Sequence, residues 1–584
     1  MTRKFKKRQV LWLSQEKGTI FKSWRGRFTV ALAFPNRYGV GMSNLGFQSV
    51  YAALNAHEGV LCERVFYPEH EDLEGLGKGG RELLSVESQT PVNQFDLLAF
   101  SLSFENDIPN VLHMLQWSSI PPKAEGRDSR HPLVAAGGVA VFLNPEPLAP
   151  YMDFILVGEG EALVPPFVDF MKGAKKHLSS RSRFLGHLVR NVPGIYVPSL
   201  YRVTYEEKGQ LAAMEPLPGS GAPERVVHQK ADLSTCRPCR TVITTPNAEF
   251  KSVNLLEIGR GCGRGCRFCA AGFVYRPMRT HSAPSLLASL QGQLAHTPRV
   301  GLVSAAVSDH PEIADLCRNL LDLGGALSFS SLRADGLTPE LILALQSSEH
   351  RSVAIAPEAG SQRLRQVINK NLRMEEILRA VDLLTEKDIL HLKLYFMIGL
   401  PTETHDDLQA IVDMAKSIKH HVLQISRGKK RMGDITLSVN SFVPKPFTPF
   451  QWVPFAGVRE LKDRARWIRK ALQKVPNVRV HFDLPKWSHI QALLARGDRR
   501  VSAILDKVAL EGWSWTKAMK QTAVNADFWV MREREREEFF PWEIIDHGIE
   551  RAYLWEEYQR SLAAVETPPC DVDSGCSRCG ACAK

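Results

Sequence analysis

Nowhere in this sequence do apolar residues run for the roughly 18–20 positions that a membrane-spanning helix needs, so no membrane partner is expected. A secretory leader is also lacking. The basic start (Arg3, Lys4, Lys6, Lys7, Arg8) is followed only by the short apolar run VLWL, too brief for a leader's core, and a cytoplasmic protein is expected. There is no concentrated basic arm. The formal net charge of +11 is spread along the chain, which leaves a nucleic-acid partner and an arginine-rich surface both open. A disordered composition is excluded by 44% hydrophobic and 23% charged residues. At 584 residues the chain exceeds one core, and about 100–200 residues per domain suggests several units.

Cysteine is present and unevenly placed. Seven of the 11 fall in two clusters, Cys262, Cys266, Cys269 and Cys570, Cys576, Cys579, Cys582. Cys236 and Cys239 form a further CxxC with only two ligands, to which no role is assigned. In a chain of this length without a leader, such tight spacing suits metal ligation better than disulfides.

After the basic segment 1–26, residues 27–170 alternate short apolar strands (RFTVALAF, FDLLAFSLSF, PLVAAGG, DFILVGEGE) with helical stretches such as NLGFQSVYAALNAH. That alternation predicts an α/β, doubly wound parallel sheet of the flavodoxin or Rossmann kind, which binds ligands beyond its strand ends. Residues 171–250 read as a linker with some strand content. Residues 251–454 carry repeated β–α units, from VNLLEIG to DITLSVNSFVP, and predict a partial TIM-like barrel with chemistry at the strand tops. Residues 455–566 read as mostly helical, and 567–584 as a cysteine-rich tail. The basic loop RGKKRMGD (427–434) reads as solvated, with phosphate contact as the alternative.

The segment GRGCGRGCRFCAAG (259–272) follows the first barrel strand. Its glycines let the backbone curl so that three sulfurs converge. Thiolates select zinc or iron–sulfur, and structural zinc wants four protein ligands where this loop offers three. A cubane cluster held by three cysteines leaves one iron open for chemistry.

Cx3Cx2C with Phe268 as the aromatic, after the first strand of a β/α barrel, resembles the signature of radical S-adenosylmethionine (SAM) enzymes. EIGRGCGRGCRFCAAGFVYRPMR, PEAGSQRLRQVINKN, MIGLPTET and NSFVPKPFTPFQW are similar to successive segments of one branch of that superfamily, whose members begin with a cobalamin-binding-like domain. The resemblance spans nearly the whole chain. It implies a 4Fe-4S cluster on Cys262, Cys266 and Cys269, reductive cleavage of SAM, and a flavodoxin or ferredoxin as electron donor. It implies Arg333 (SSLRAD) for the SAM carboxylate and Glu358 (APEAGS) for its amino or ribose groups. Gly399 and Pro401 (IGLP) are then expected at the adenine. The family's GGE-type motif after the second strand is replaced by VSAAVSDHPE.

In the N-terminal unit the resemblance places a cofactor on Ser101, Ser103, Gly137 and Gly138, but the DxHxxG loop that supplies a cobalt ligand in many cobalamin domains is absent. His70, in YPEHED, reads as a surface histidine. Cobalamin bound without a histidine and a domain that has lost the cofactor both stay open. The tail offers four thiolates, the count for a second 4Fe-4S cluster or a zinc. The function expected is radical chemistry on a small molecule, protein or RNA, with methylation if cobalamin binds. The alternative is a non-catalytic iron–sulfur or RNA-binding protein built on the barrel.

Overall fold

The computed structural model describes residues 3–73, 82–174, 180–294, 297–330, 332–348, 351–426, 433–571 and 576–582. Most of the RGKKRMGD loop, 427–432, lies outside them. The N-terminal unit is a six-stranded sheet: β1 (Phe28–Phe34), β2 (Val60–Phe66), β3 (Leu97–Ser101), β4 (Leu133–Gly137), β5 (Phe154–Leu156) and β6 (Ile195–Tyr196). The strand order is β2-β1-β3-β4-β5-β6; the first five are parallel and β6 pairs antiparallel to β5. The 2-1-3-4-5 core is the flavodoxin-like order. Every residue of β1 and β2 is buried, as parallel strands covered on both faces must be.

Two segments do more than composition suggests. The basic start folds as α1 (Arg3–Gln15), with Phe5 and Trp12 buried against the sheet. Just beyond it, Glu16 reaches the buried Arg64 of β2 at 2.7 Å. The stretch read as a linker from 171 first supplies helix α2 (Arg181–Asn191) and the edge strand β6 before it leaves the sheet.

The second unit has seven parallel strands in two sheets. One holds β7 (Asn254–Glu257), β8 (Arg299–Val303) and β9 (Ala326–Phe329), and the other β10 (Ser352–Glu358), β11 (His391–Ile398), β12 (Ile435–Ser441) and β13 (Val478–Phe482). No ladder joins β9 to β10 among the described residues, so the barrel is open there as well as at its ends. Strand β13 comes from the region read as helical and extends the barrel sheet beyond 454. Burial alternates along β11 and β12. Leu392, Leu394, Leu437 and Val439 are buried, while Lys393, Tyr395, Thr436 and Ser438 lie on the more exposed face. Helices Val458–Leu472, Pro485–Arg496 and Arg551–Leu562 form most of the rest. Among the described residues no helix is long and apolar enough to cross a membrane.

Candidate functional site

The three cysteines of 262–269 lie on a loop that leaves β7 through a short antiparallel ladder, Gly259–Arg260 against Arg279–Thr280. The loop ends in the turn of helix Ala271–Val274. Gly261 has φ +87°, and a Cβ there would lie 2.5 Å from the Tyr275 carbonyl, so this close turn requires glycine. The turn is tightened by Cys269 N–H donating to the Cys266 carbonyl at 3.1 Å and Gly272 N–H to that of Cys269 at 3.0 Å. Burial pushes the Cys262 thiol up and the Cys269 thiol to about 12, with the neighbouring Cys266 adding to both.

Charged groups surround these thiols. Arg333 forks onto Asp335 at 2.9 and 3.0 Å and donates to the Lys370 carbonyl at 3.1 Å. Burial opposes its charge, but Asp335 and the nearby Cys266 more than offset this and raise its pKa. Glu358 ends β10 at φ +67°, a left-handed conformation that costs a non-glycine residue of order 1–3 kcal/mol and is found where surroundings impose it. Burial raises the Glu358 pKa, countered by Lys370 at 3.6 Å and by Arg333. Lys370 in turn acts on Cys269. Arg264, inside the cysteine loop, pairs with Asp309 at 2.6 Å and Asp335 at 3.3 Å.

The loop is held from behind by a fully buried arginine. Between Cys266 and Cys269, Arg267 pairs with Glu557 at 3.0 Å and donates to the carbonyls of Gln366, Val367 and Val565 at 3.1, 3.1 and 2.7 Å. Asn369 donates to the Gly265 carbonyl at 3.1 Å and accepts from Thr567 N–H at 2.8 Å. The segment 362–371 thus braces the loop and receives the start of the tail.

The tail docks here. Cys570 N–H donates to the Gly263 carbonyl at 2.6 Å, and Glu550 N–H to that of Cys579 at 3.0 Å. A small cavity lined by Gly265, Arg276, Tyr553, Cys570, Cys576 and Cys579 separates the two cysteine groups. Cys579 is buried, Cys570 and Cys576 half-buried and Cys582 exposed. Burial raises the Cys570 thiol, and the charges of Cys576, Cys579 and Cys582 add to it, so all four sulfurs share one neighbourhood. Arg578 lowers the pKa of Cys576 by donating to its sulfur at 3.3 Å.

The other expected residues divide. Phe268 is half-buried against the core beside its cysteines. Gly399 has φ +84°; its N–H donates to Glu403 at 2.9 Å, and a Cβ would meet Leu461 at 2.8 Å, so local packing already accounts for this glycine. Pro401 follows in the same turn. Ser101, Ser103, Gly137 and Gly138 stand together, half-exposed, at the ends of β3 and β4, away from the thiols. Ser103 accepts from Asn44 at 3.0 Å. Gly138 sits at φ +106°, where a Cβ would strike the Leu102 carbonyl at 2.5 Å. The helix after Gly138 carries Phe142, whose ring lies 5.7 Å from Tyr275, just beyond the cysteine loop, so the two groups face each other across one aromatic contact. His70 lines an open cleft with Arg37 and Glu69 instead. Asp335, Lys370, Arg267 and Asn369 were not anticipated. Their only sequence signal is proximity to anticipated segments, Asp335 two residues from Arg333 and Lys370 within PEAGSQRLRQVINKN.

Residues 256–415 match the model of the radical SAM superfamily, and residues 46–198 match that of the N-terminal region of radical SAM proteins. An uncharacterized protein of Methanocaldococcus jannaschii is 30% identical over 479 residues, 82% of this chain and 90% of that one. A tRNA-2-methylthio-N(6)-dimethylallyladenosine synthase of Sorangium cellulosum is 27% identical over 28% of this chain and 38% of its own. Among solved structures, a radical SAM methyltransferase, TsrM, of Kitasatospora setae, with cobalamin and a [4Fe-4S] cluster bound, aligns with 85% of this chain and 98% of its own at 14% identity and TM-score 0.47.

Proposed function

The chain belongs to the radical SAM superfamily, and from that premise we propose that it is an enzyme holding a 4Fe-4S cluster on Cys262, Cys266 and Cys269, with SAM bound between Arg333 and Glu358. The observation that carries this reading is the ring of opposite charges, Arg333, Glu358 and Lys370, around three desolvated, mutually coupled thiols. Their spacing fits a cluster. Tetrahedral zinc, with Zn–S of about 2.3 Å, holds its sulfurs roughly 3.8 Å apart. Among the described residues no three of these cysteines come within 4.8 Å of one another. A cubane spreads its thiolates wider.

When bound, the cluster and SAM together supply one-electron reductive cleavage and a carbon radical that removes hydrogen from a substrate. The protein's own work is binding, orientation and exclusion of water. Arg333 offers a planar fork for the SAM carboxylate, and Glu358 a carboxylate for its ammonium. Lys370 keeps the buried Glu358 charged while the site is empty. Arg267 and Asn369 fix the loop that orients the three sulfurs. The substrate, whether small molecule, protein or RNA, meets the more exposed face of β11 and β12. The tail, one hydrogen bond from Gly263, holds a second cluster beside the first; its sulfurs are likewise too dispersed for a compact zinc site.

Anaerobic reconstitution followed by reduction with SAM tests this. Iron and sulfide should be retained and 5′-deoxyadenosine released, and Cys266→Ala should abolish the release. Undiminished turnover in that variant rejects the assignment. Iron retained without any SAM cleavage favours the non-catalytic reading.

A second cofactor finds support in the half-exposed row Ser101, Ser103, Gly137 and Gly138 facing Phe142 and Tyr275. We read this surface as the seat of a cobalamin with no histidine on cobalt, whose chemistry when bound is methyl transfer. Gel filtration after incubation with hydroxocobalamin should show retained cobalt with a base-off, histidine-off spectrum. Absence of cobalt in the protein peak leaves a radical SAM enzyme with a structural N-terminal unit.

A further inference from the structure

A second set of metal-binding side chains gathers where the two α/β units meet. Glu161 opens the helix after β5, Glu257 ends β7, and Cys239 closes the CxxC between them. One ligand atom from each of Glu161, Cys239 and Glu257 lies within 4.8 Å of the others, the one such grouping among the described residues. The Cys239 thiol donates to Glu161 Oε1 at 2.6 Å. The CxxC is fixed to the barrel by Glu257 N–H donating to the Cys239 carbonyl at 2.9 Å and by an antiparallel bridge between Arg240 and Leu256. Cys236 feels the charges of both Glu161 and Glu257, so the two thiols share this neighbourhood.

An independent feature points to a ligand. His281, one residue past the short ladder that opens the cysteine loop, is 1% exposed, and neither ring nitrogen has a hydrogen bond of ordinary geometry. Burial lowers its pKa, and Glu257, the Leu233 backbone, Arg260 and Glu161 are the polar groups acting on it. A buried, neutral, unpartnered imidazole beside two thiols and a carboxylate is costly to keep without an acceptor or a metal.

We propose that Cys236, Cys239, Glu161 and His281 form a tetrahedral site for a zinc-class divalent cation that staples the N-terminal unit to the barrel. Glu257 is the counter-charge: both its oxygens are held by Arg260, at 3.0 and 2.6 Å. Two thiolates, one imidazole and one carboxylate make a mixed soft and borderline set that suits zinc. The balance is simple. Two S–H bonds break, two metal–sulfur bonds form, and two protons leave to solvent, so the dication replaces two protons and the charge of the network is unchanged. Half-buried Cys236 marks the way in.

Zinc and iron per chain, measured on the anaerobically purified full chain and on Cys236→Ser/Cys239→Ser, decide the matter. The double variant should lose about one zinc per chain and keep its iron, since the four site residues lie outside both clusters. Equal zinc in the two proteins, including none in either, overturns the proposal, whatever the fate of the SAM cleavage. Should the double variant fail to fold, cobalt(II) titration of the metal-stripped wild type replaces it. A thiolate-to-cobalt absorption band that His281→Gln weakens supports the site. No band, or one untouched by that substitution, overturns it.

Discussion

Replacing Arg267 by alanine probes whether the cysteine loop depends on its buried brace. The guanidinium is wholly enclosed, with Glu557 at 3.0 Å and three backbone carbonyls at 3.1, 3.1 and 2.7 Å as acceptors. Burial pulls the pKa of Arg267 down and Glu557 pulls it back, the signature of a desolvated pair. Arg267→Ala leaves Glu557 4% exposed with its charge uncompensated save for Thr567, which donates to it at 2.7 Å. Breaking such a pair from one side costs about 3–5 kcal/mol. At 2–4 °C per kcal/mol for a unit of 150–250 residues, the barrel's thermal transition should fall by roughly 6–20 °C. The loop lies between two cluster ligands, so iron retained after reconstitution should fall too. Arg267→Met/Glu557→Gln should recover part of the loss, because no charge then remains buried. A transition in Arg267→Ala within about 2 °C of wild type would refute the reasoning.

Removing residues 570–584 should cost about one cluster's iron and leave that on Cys262, Cys266 and Cys269; unchanged metal content would mean the tail holds none. Arg333→Ala should weaken SAM binding by roughly tenfold or more, the worth of a charge-assisted bidentate contact, without loss of the cluster, since Asp335 keeps Arg264 at 3.3 Å. Calorimetric SAM affinity equal to wild type would make Arg333 a structural partner of Asp335. Acid should unfold the protein partly through His228, whose pKa falls from 6.5 to about 3 through burial, with Lys230, Arg279 and Arg260 adding to the effect. The unfolded chain takes the proton first, so this stabilisation is complete above pH 6.5 and lost as pH drops toward 3. Thermal midpoints of His228→Phe should fall less steeply over that range, and an unchanged slope would exclude the contribution.

The parts of this molecule set by short spacing were readable in the chain. Cx3Cx2C after a strand located the cluster loop, and strand-end reasoning reached Arg333 and Glu358, which the fold sets around the same thiols. Helix α1 had a signal too: Phe5, Gln9 and Trp12, all buried, recur at helical spacing beneath what reads as a basic run. So did β13, where VRVHF alternates in a helical region. The brace was not readable. Arg267 and Glu557 stand 290 residues apart, and nothing local distinguishes a buried arginine from a solvated one. The same holds for the CxxC, whose two thiols say nothing until folding brings Glu161 and His281 to them.

The brace also sets an order of events. Cys269 leaves the ribosome 301 residues before Cys570, which at about 5–20 residues per second is roughly 15–60 s. For that interval the cluster loop has its three thiols but lacks Glu557 behind Arg267, Thr567 beside Asn369 and the tail on Gly263. Loading of the first cluster is therefore tied to completion of the chain. A nascent chain stalled before residue 557 should hold iron less firmly than the finished protein, and equal retention would show that the loop matures on its own.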